Sequence, residues 1–238
     1  MSVQNHFDAG LTDFTIPSDR LFDVLLEPSE HVQRFQKVFD ALKPGSHFVV
    51  ITEKECHDVV VLLNRMAGFE VRDCLYWLKT SGKVTPVSLL RKPLEGNIVK
   101  NVLKWGTGGL NIDGCRVGTE VLPAMSRGVS KIGTFEGADG NFTKERTGRW
   151  PANLIHDGSD EVVGLFPERN HKSGGAFKKQ NISLNGIREG GNLPMGYSDK
   201  GSAARFFQTC KTRQDLISTL ETLICPKGGR IWKGELNG

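Results

Sequence analysis

Arg116, Arg127, Arg146, Arg149, Lys172, Lys178 and Lys179 sit in a stretch of chain crowded with glycine. Guanidinium and ammonium groups neutralise phosphates and release their counterions. Glycine lets a backbone approach a duplex closely, so these residue types together offer contact with a nucleic-acid backbone. Residues 96–205 hold 15 Lys and Arg against 11 Asp and Glu, while the rest of the 238-residue chain balances at 16 against 16. The whole net charge of +4 therefore lies in the centre, with 20 of the 28 glycines. For each cation taken singly, a solvated loop surface is the competing account. Trp105 and Trp150 lie in the same stretch. Their two readings are stacking or wedging against bases, and holding the stretch together as core; core is the expectation.

Other chemistries are poorly served. Cys56, Cys74, Cys115, Cys210 and Cys225 are odd in number and never spaced as a Cys-x-x-Cys pair, which argues against a disulfide framework and against a zinc knuckle. Reduced thiols, mostly in the core, are expected. His31 and His57 read as surface or capping residues, and no metal is expected. With 38% hydrophobic and 24% charged residues the chain is too apolar to be disordered,. Its longest apolar runs, such as Val59-Val60-Val61-Leu62-Leu63, are far short of a membrane span. No leader pattern is visible in residues 1–10, and a cytoplasmic location without membrane contact is expected.

The elements that must position these residues follow from hydrophobic spacing. Residues 1–20 show no sustained period and read as an irregular lead-in. Residues 22–26 are a short apolar run ended by Glu27-Pro28, the pattern of a buried strand. Val32, Phe35, Phe39 and Leu42 form one helical stripe behind Ser29, stopped at Lys43-Pro44-Gly45. Residues 47–51 read as a buried strand, and Thr52-x-x-Glu55 has the form of a capping box opening a helix to about Ala67. Strands are predicted over 69–78 and 87–91. Leu216, Ile217, Leu220, Leu223 and Ile224 mark a helix capped by Thr212-x-x-Asp215, and Arg230-Ile231-Trp232 begins another strand. Strands alternating with helices predict an α/β unit with a largely parallel sheet, interrupted by a loop-rich insertion.

Several segments carry a family resemblance. Lys43-Pro44-Gly45-Ser46-His47-Phe48-Val49-Val50, Ala67-Gly68-Phe69-Glu70-Val71-Arg72-Asp73 and Trp77 resemble the later strands and helices of SAM-dependent DNA amino-methyltransferases, which methylate adenine N6 or cytosine N4. Arg91-Lys92-Pro93-Leu94-Glu95-Gly96, then residues 101–116 (Asn101-Val102-Leu103-Lys104-Trp105-Gly106-Thr107-Gly108-Gly109-Leu110-Asn111-Ile112-Asp113-Gly114-Cys115-Arg116), are similar to phage- and prophage-encoded site-specific DNA methylases. So are Gly148-Arg149-Trp150-Pro151-Ala152-Asn153-Leu154-Ile155 and Ser202-Ala203-Ala204-Arg205-Phe206-Phe207. The resemblance covers roughly residues 22–232.

It implies a partial Rossmann-like class I methyltransferase sheet with a Gly-rich, loop-rich insertion. Residues 1–95 would be the first part of the α/β domain, 96–205 a target-recognition insertion, and 206–238 the return to the sheet. Double-stranded DNA would be the partner and a bacterial host cell the setting. The family holds the extruded base's amine with an acidic or amide residue, two prolines and an aromatic ring at a strand end. The nearest match is Glu27-Pro28-Ser29-Glu30, with Glu27 and Pro28 as the amine-holding candidates. Ser29 and Glu30 replace the second proline and the ring, and the competing reading makes Glu27 and Glu30 the acidic start of a helix. S-adenosylmethionine is the cofactor the resemblance implies. The position of its glycine loop reads Arg230-Ile231-Trp232-Lys233-Gly234-Glu235-Leu236-Asn237-Gly238, and Gly106-Thr107-Gly108-Gly109 belongs to the insertion, so binding by this chain is not expected. Three readings follow: a DNA-binding protein that does not methylate alone, an active enzyme with divergent loops or a partner chain completing its fold, and an inhibitory or interaction module on the same scaffold.

Overall fold

A computed structural model describes residues 7–122, 146–172, 180–183, 186–189, 198–225 and 228–236. In chain order the strands are β1 (Phe7–Asp13), β2 (Leu42–Ile51), β3 (Glu70–Lys79), β4 (Lys83–Arg91), β5 (Val117–Leu122), β6 (Arg146–Arg149) and β7 (Leu154–His156). They continue with β8 (Glu168–Lys172), β9 (Gln180–Ser183), β10 (Gly186–Glu189), β11 (Ser198–Ser202), β12 (Gln208–Thr209) and β13 (Ile231–Trp232). The helices are α1 (Leu21–Leu26), α2 (Ser29–Ala41), α3 (His57–Met66), α4 (Ile98–Trp105), α5 (Asp160–Val163) and α6 (Arg213–Ile224).

Seven strands make one sheet in the order β12-β7-β3-β4-β2-β1-β13. All neighbours run parallel except β4, which is antiparallel to both β2 and β3. The reversal has a simple cause. Only Thr80, Ser81 and Gly82 separate β3 from β4, far too few for a parallel crossover, and Gly82 takes φ 68° in the turn,. Along β2 the side chains alternate between faces. Phe48 and Val50 join Phe35 and Val38 of α2 and Val60 and Leu63 of α3 on one side, while Val49 and Ile51 join Leu216, Leu220 and Ile224 of α6 on the other. This is an α/β sheet covered on both faces, a partial Rossmann-like architecture. Leu154–His156, inside the 96–205 stretch, belongs to this sheet through its pairing with β3.

Three readings of the sequence need correction. Residues 22–26 are helical, with Phe22 69% and Leu26 66% exposed and Val24 alone buried. The strand next to β2 is instead β1, in the stretch read as irregular. It escapes pattern reading because Ala9, Gly10, Leu11 and Thr12 are buried on both faces and so do not alternate,. Gly10 admits the Phe48 ring, which would lie 2.9 Å from an added Cβ. Thr52 caps nothing. A 3-10 turn, Lys54–Cys56, precedes α3, and Thr52 Oγ1 lies 3.1 Å from His57 Nδ1, whose ring reaches Cys74 Sγ at 3.4 Å through Nε2. The box at Thr212 and Asp215 does form, in both directions.

All five thiols are unpaired; Cys56, Cys115 and Cys210 are buried. Trp77 ties the sheet's centre to its far edge, donating from Nε1 to the Cys210 carbonyl at 3.0 Å while 4% exposed. Trp77→Phe, which keeps a ring but loses the N–H, is expected to cost about 1 kcal/mol, read as a lower urea midpoint.

Candidate functional site at the carboxyl edge of the sheet

Open parallel sheets bind ligands beyond the carboxyl ends of their strands. The carboxyl end of β1 leads into α1 and α2, and the segment leaving the adjacent parallel end of β13 runs beside it, with Leu236 in the core shared with α2. The β1/β13 junction is therefore the place to look, and two cavities flank it. One, about 480 Å³, is lined by Thr12, Asp13, Gln214, Lys233 and Glu235. The other, about 420 Å³, is lined by Phe14, Ile16, Val24, Glu30, His31 and Arg34.

The first cavity is walled on one side by the segment that follows β13. Thr12 Oγ1 donates to the Gly234 carbonyl at 2.8 Å, and Arg34 Nη1 donates to the Leu236 carbonyl at 2.8 Å. Leu236 itself is in the core, and a Cβ at Gly234 would run into the Trp232 ring. Asp13 pairs with Arg213, and Lys233 with Glu221. In the second cavity, His31 stands edge-on to Phe14 with ring centres 6.0 Å apart, and its buried Nδ1 has no hydrogen-bond partner among the described residues. Burial and the neighbouring Arg34 cation hold the His31 imidazolium below its ordinary range,.

The sequence-derived candidates fall elsewhere. Glu27 and Pro28 lie between α1 and α2, at a helix end and not a strand end, and line neither cavity. The acid at the end of the strand before α1 is Asp13, followed by Phe14. An acid and an aromatic ring at the close of an apolar stretch were the available signal, hidden because that stretch did not look like a strand. Arg116 Nε pairs with Asp113 at 2.8 Å, and Arg149 Nη2 with Glu120 at 2.8 Å; Arg146 is exposed on β6. Arg127, Lys178 and Lys179 lie outside the described residues, and Lys172 is described only as backbone of β8. Trp105 donates from Nε1 to Glu95 Oε2 at 2.7 Å. Trp150 is not core: it is 66% exposed.

No protein-family model and no curated protein matches the chain. Solved structures do. The M1.HpyAVI–SAM complex aligns over 37% of this chain and 45% of that one, at 15% identity and a TM-score of 0.28. TTHA0409 of Thermus thermophilus, a candidate DNA modification methylase complexed with S-adenosyl-L-methionine, aligns over 39% and 50%, at 17% identity and a TM-score of 0.32. Its selenomethionine derivative gives 42% and 52%, 17% and 0.31. The alignments thus span about half the length of those proteins.

The residues after β13 do not fit S-adenosylmethionine. Phosphate- and cofactor-cradling loops offer a run of backbone N–H groups leading into a helix N-terminus. Here the backbone carbonyls of Gly234 and Leu236 are held by Thr12 and Arg34, and Lys233 and Glu235 flank Gly234 in place of further glycines. Gly106, with φ 74°, closes the C-terminus of α4, so the Gly106-Thr107-Gly108-Gly109 run stands at the wrong end of a helix. No group of three or more His, Cys, Asp or Glu among the described residues could hold a metal ion, and no helix among them is long and apolar enough to cross a membrane.

Proposed function

We propose that this chain is a DNA-binding protein on a methyltransferase-like scaffold that does not transfer methyl groups alone. The observation that supports the reading is the segment after β13, which is pinned by Thr12 and Arg34 along the sheet edge instead of forming a glycine-rich loop. The DNA half rests on the family resemblance of residues 91–116 and 148–155. These include α4, the lead into β5, and the end of β6 with its exit through the exposed Trp150 into β7; Arg146, at the start of β6, is also exposed. Residues 96–205, apart from β7 in the main sheet, are then the recognition insertion, and the setting is a bacterial cytoplasm.

Purified protein is expected to retard duplex DNA. If three phosphates are neutralised, an approximately fourfold rise in salt should weaken binding about 40-fold. Titration with S-adenosylmethionine should give no heat. Labelled methyl groups appearing on DNA incubated with this chain and the donor alone would overturn the reading.

The two cavities favour one alternative, an enzyme completed by a partner chain, because Asp13 lines the first and Phe14, the next residue, lines the second, of about 420 Å³. In that case DNA methylation in extracts of cells expressing the chain should be lost with Asp13→Ala.

A further inference from the structure

Three of the four tryptophans have work within the fold. Trp77 and Trp105 donate their indole N–H groups to Cys210 and Glu95, and Trp232 packs on Phe48 with ring centres 6.3 Å apart. Trp150 has no hydrogen-bond or ring partner among the described residues and is 66% exposed. The residues around it are well anchored. Arg149, the residue before it, lays its guanidinium 4.1 Å from the centre of the Phe206 ring, and Arg205 lays its own 4.2 Å from the same centre. Both are further fixed, Arg149 by Glu120 and Arg205 by the Ser202 carbonyl at 2.6 Å. Pro151, the residue after it, restricts the Trp150 backbone to extended geometry. Beneath, Gly148 takes φ 77° and packs so closely that an added Cβ would lie 2.8 Å from the Gly118 carbonyl and 3.0 Å from Arg116 Cβ. The last registered pair of the ribbon is Val117 with Arg149, so Arg116 and Trp150 are the next residues on its two strands.

A large apolar ring exposed at the end of this ribbon, on a backbone anchored from both sides, offers a flat face that suits another flat face,. We infer that Trp150 is a stacking platform for an unpaired nucleobase of bound DNA. The Arg149–Phe206–Arg205 stack acts as its positioning brace, and the exposed Arg146, at the other end of the same strand, is the cation for the phosphates. The inference rests on the DNA-binding reading and adds the base-contacting residue to it. Stacking against a ring is tolerant of base identity, so the expected partner is a distorted or locally unpaired step of any sequence.

The test compares the full chain's affinity for a short labelled duplex with its affinity for the same duplex carrying one unpaired base. Wild type should prefer the second about tenfold, within the range for one base stacked on an aromatic side chain. Trp150→Ala should erase that preference while binding the paired duplex within about twofold of wild type, and Trp150→Phe should restore most of it. Tryptophan emission should be quenched by the bulged DNA in wild type and not in Trp150→Phe. Equal affinity of wild type for the two duplexes, or a preference that survives Trp150→Ala, overturns the inference and leaves DNA binding standing. So does a Trp150 ring shielded from iodide in the free protein, since its own chain then covers it. Failure to bind either duplex overturns the DNA-binding reading and this inference together.

Discussion

Asn101→Ala should destabilise the protein by about 3 kcal/mol, seen as a fall in the thermal midpoint of roughly 6–12 °C for a chain of this size. The expectation comes from how α4 is attached. Ile98, Val99, Val102 and Leu103 are all exposed, Leu103 by 83%, and the one buried residue of the helix is Asn101. Its Nδ2 donates to the carbonyls of Pro44 at 3.0 Å and Thr107 at 2.9 Å, and its Oδ1 accepts from the Glu95 backbone at 2.9 Å. One amide therefore fastens the helix to the start of β2 and to both of its own flanking loops. Truncation removes three hydrogen bonds to backbone groups, each worth about 1 kcal/mol, and of those groups the Pro44 carbonyl alone keeps another donor, the Thr107 hydroxyl,. Gly45, at φ 77°, is the counterpart. A Cβ there would overlap Asn101 Nδ2. Asn101→Asp, which keeps the acceptor and loses the donors, should recover only part of the loss. An Asn101→Ala protein as stable as wild type would mean that α4 is held by something other than this amide.

α4 also shows what a sequence can and cannot disclose. A run such as Ile98, Val99, Val102 and Leu103 has the spacing of a buried helical face, yet these residues point outward and the polar residue points in. Spacing gives a face but not its direction. By contrast, α2 and α6 were legible because their apolar stripes face the sheet and start at Ser29 and at a true capping box. The same four-residue pattern failed at Thr52, where strand β2 runs straight into a 3-10 turn and the hydroxyl is taken by His57. The candidate site was less legible than the fold. Its acid, Asp13, closes a strand with no alternation, and its other walls come from residues more than 200 positions away, Lys233 and Glu235. Glu27 offered itself because residues 22–26 form an apolar run of strand length. Such runs are ambiguous between strand and helix, and the place beside β2 was already filled by β1,.

Lowering the pH from 7 to 4 should remove about 3 kcal/mol of stability through His47 alone, and His47→Leu should abolish that part of the dependence,. His47 is buried at 3% exposure in β2, directly across from Arg91 of β4, and its Nδ1 has no hydrogen-bond partner among the described residues. Burial is the main cause, with the Arg91 and Arg72 cations adding to it, and together they push its pKa down from 6.5 to about 4,. Arg91 cannot move away, because its Nε and Nη2 are both held by Glu70 Oε2, at 3.0 and 2.5 Å. In the unfolded chain the imidazole takes up its proton near pH 6.5; in the folded protein it does so only near pH 4. The unfolded state therefore binds more protons throughout that window, and stability falls as the pH drops through it, then levels off below. The displacement of about 2.5 units, at about 1.4 kcal/mol each, sets the size,. His31 and His57 are shifted in the same direction by burial, so wild type keeps some dependence after the substitution. Urea midpoints at pH 7 and pH 4.5 for wild type and His47→Leu measure the difference. Equal slopes for the two proteins would show that this imidazole is already protonated in the fold, with Arg91 displaced to accommodate it.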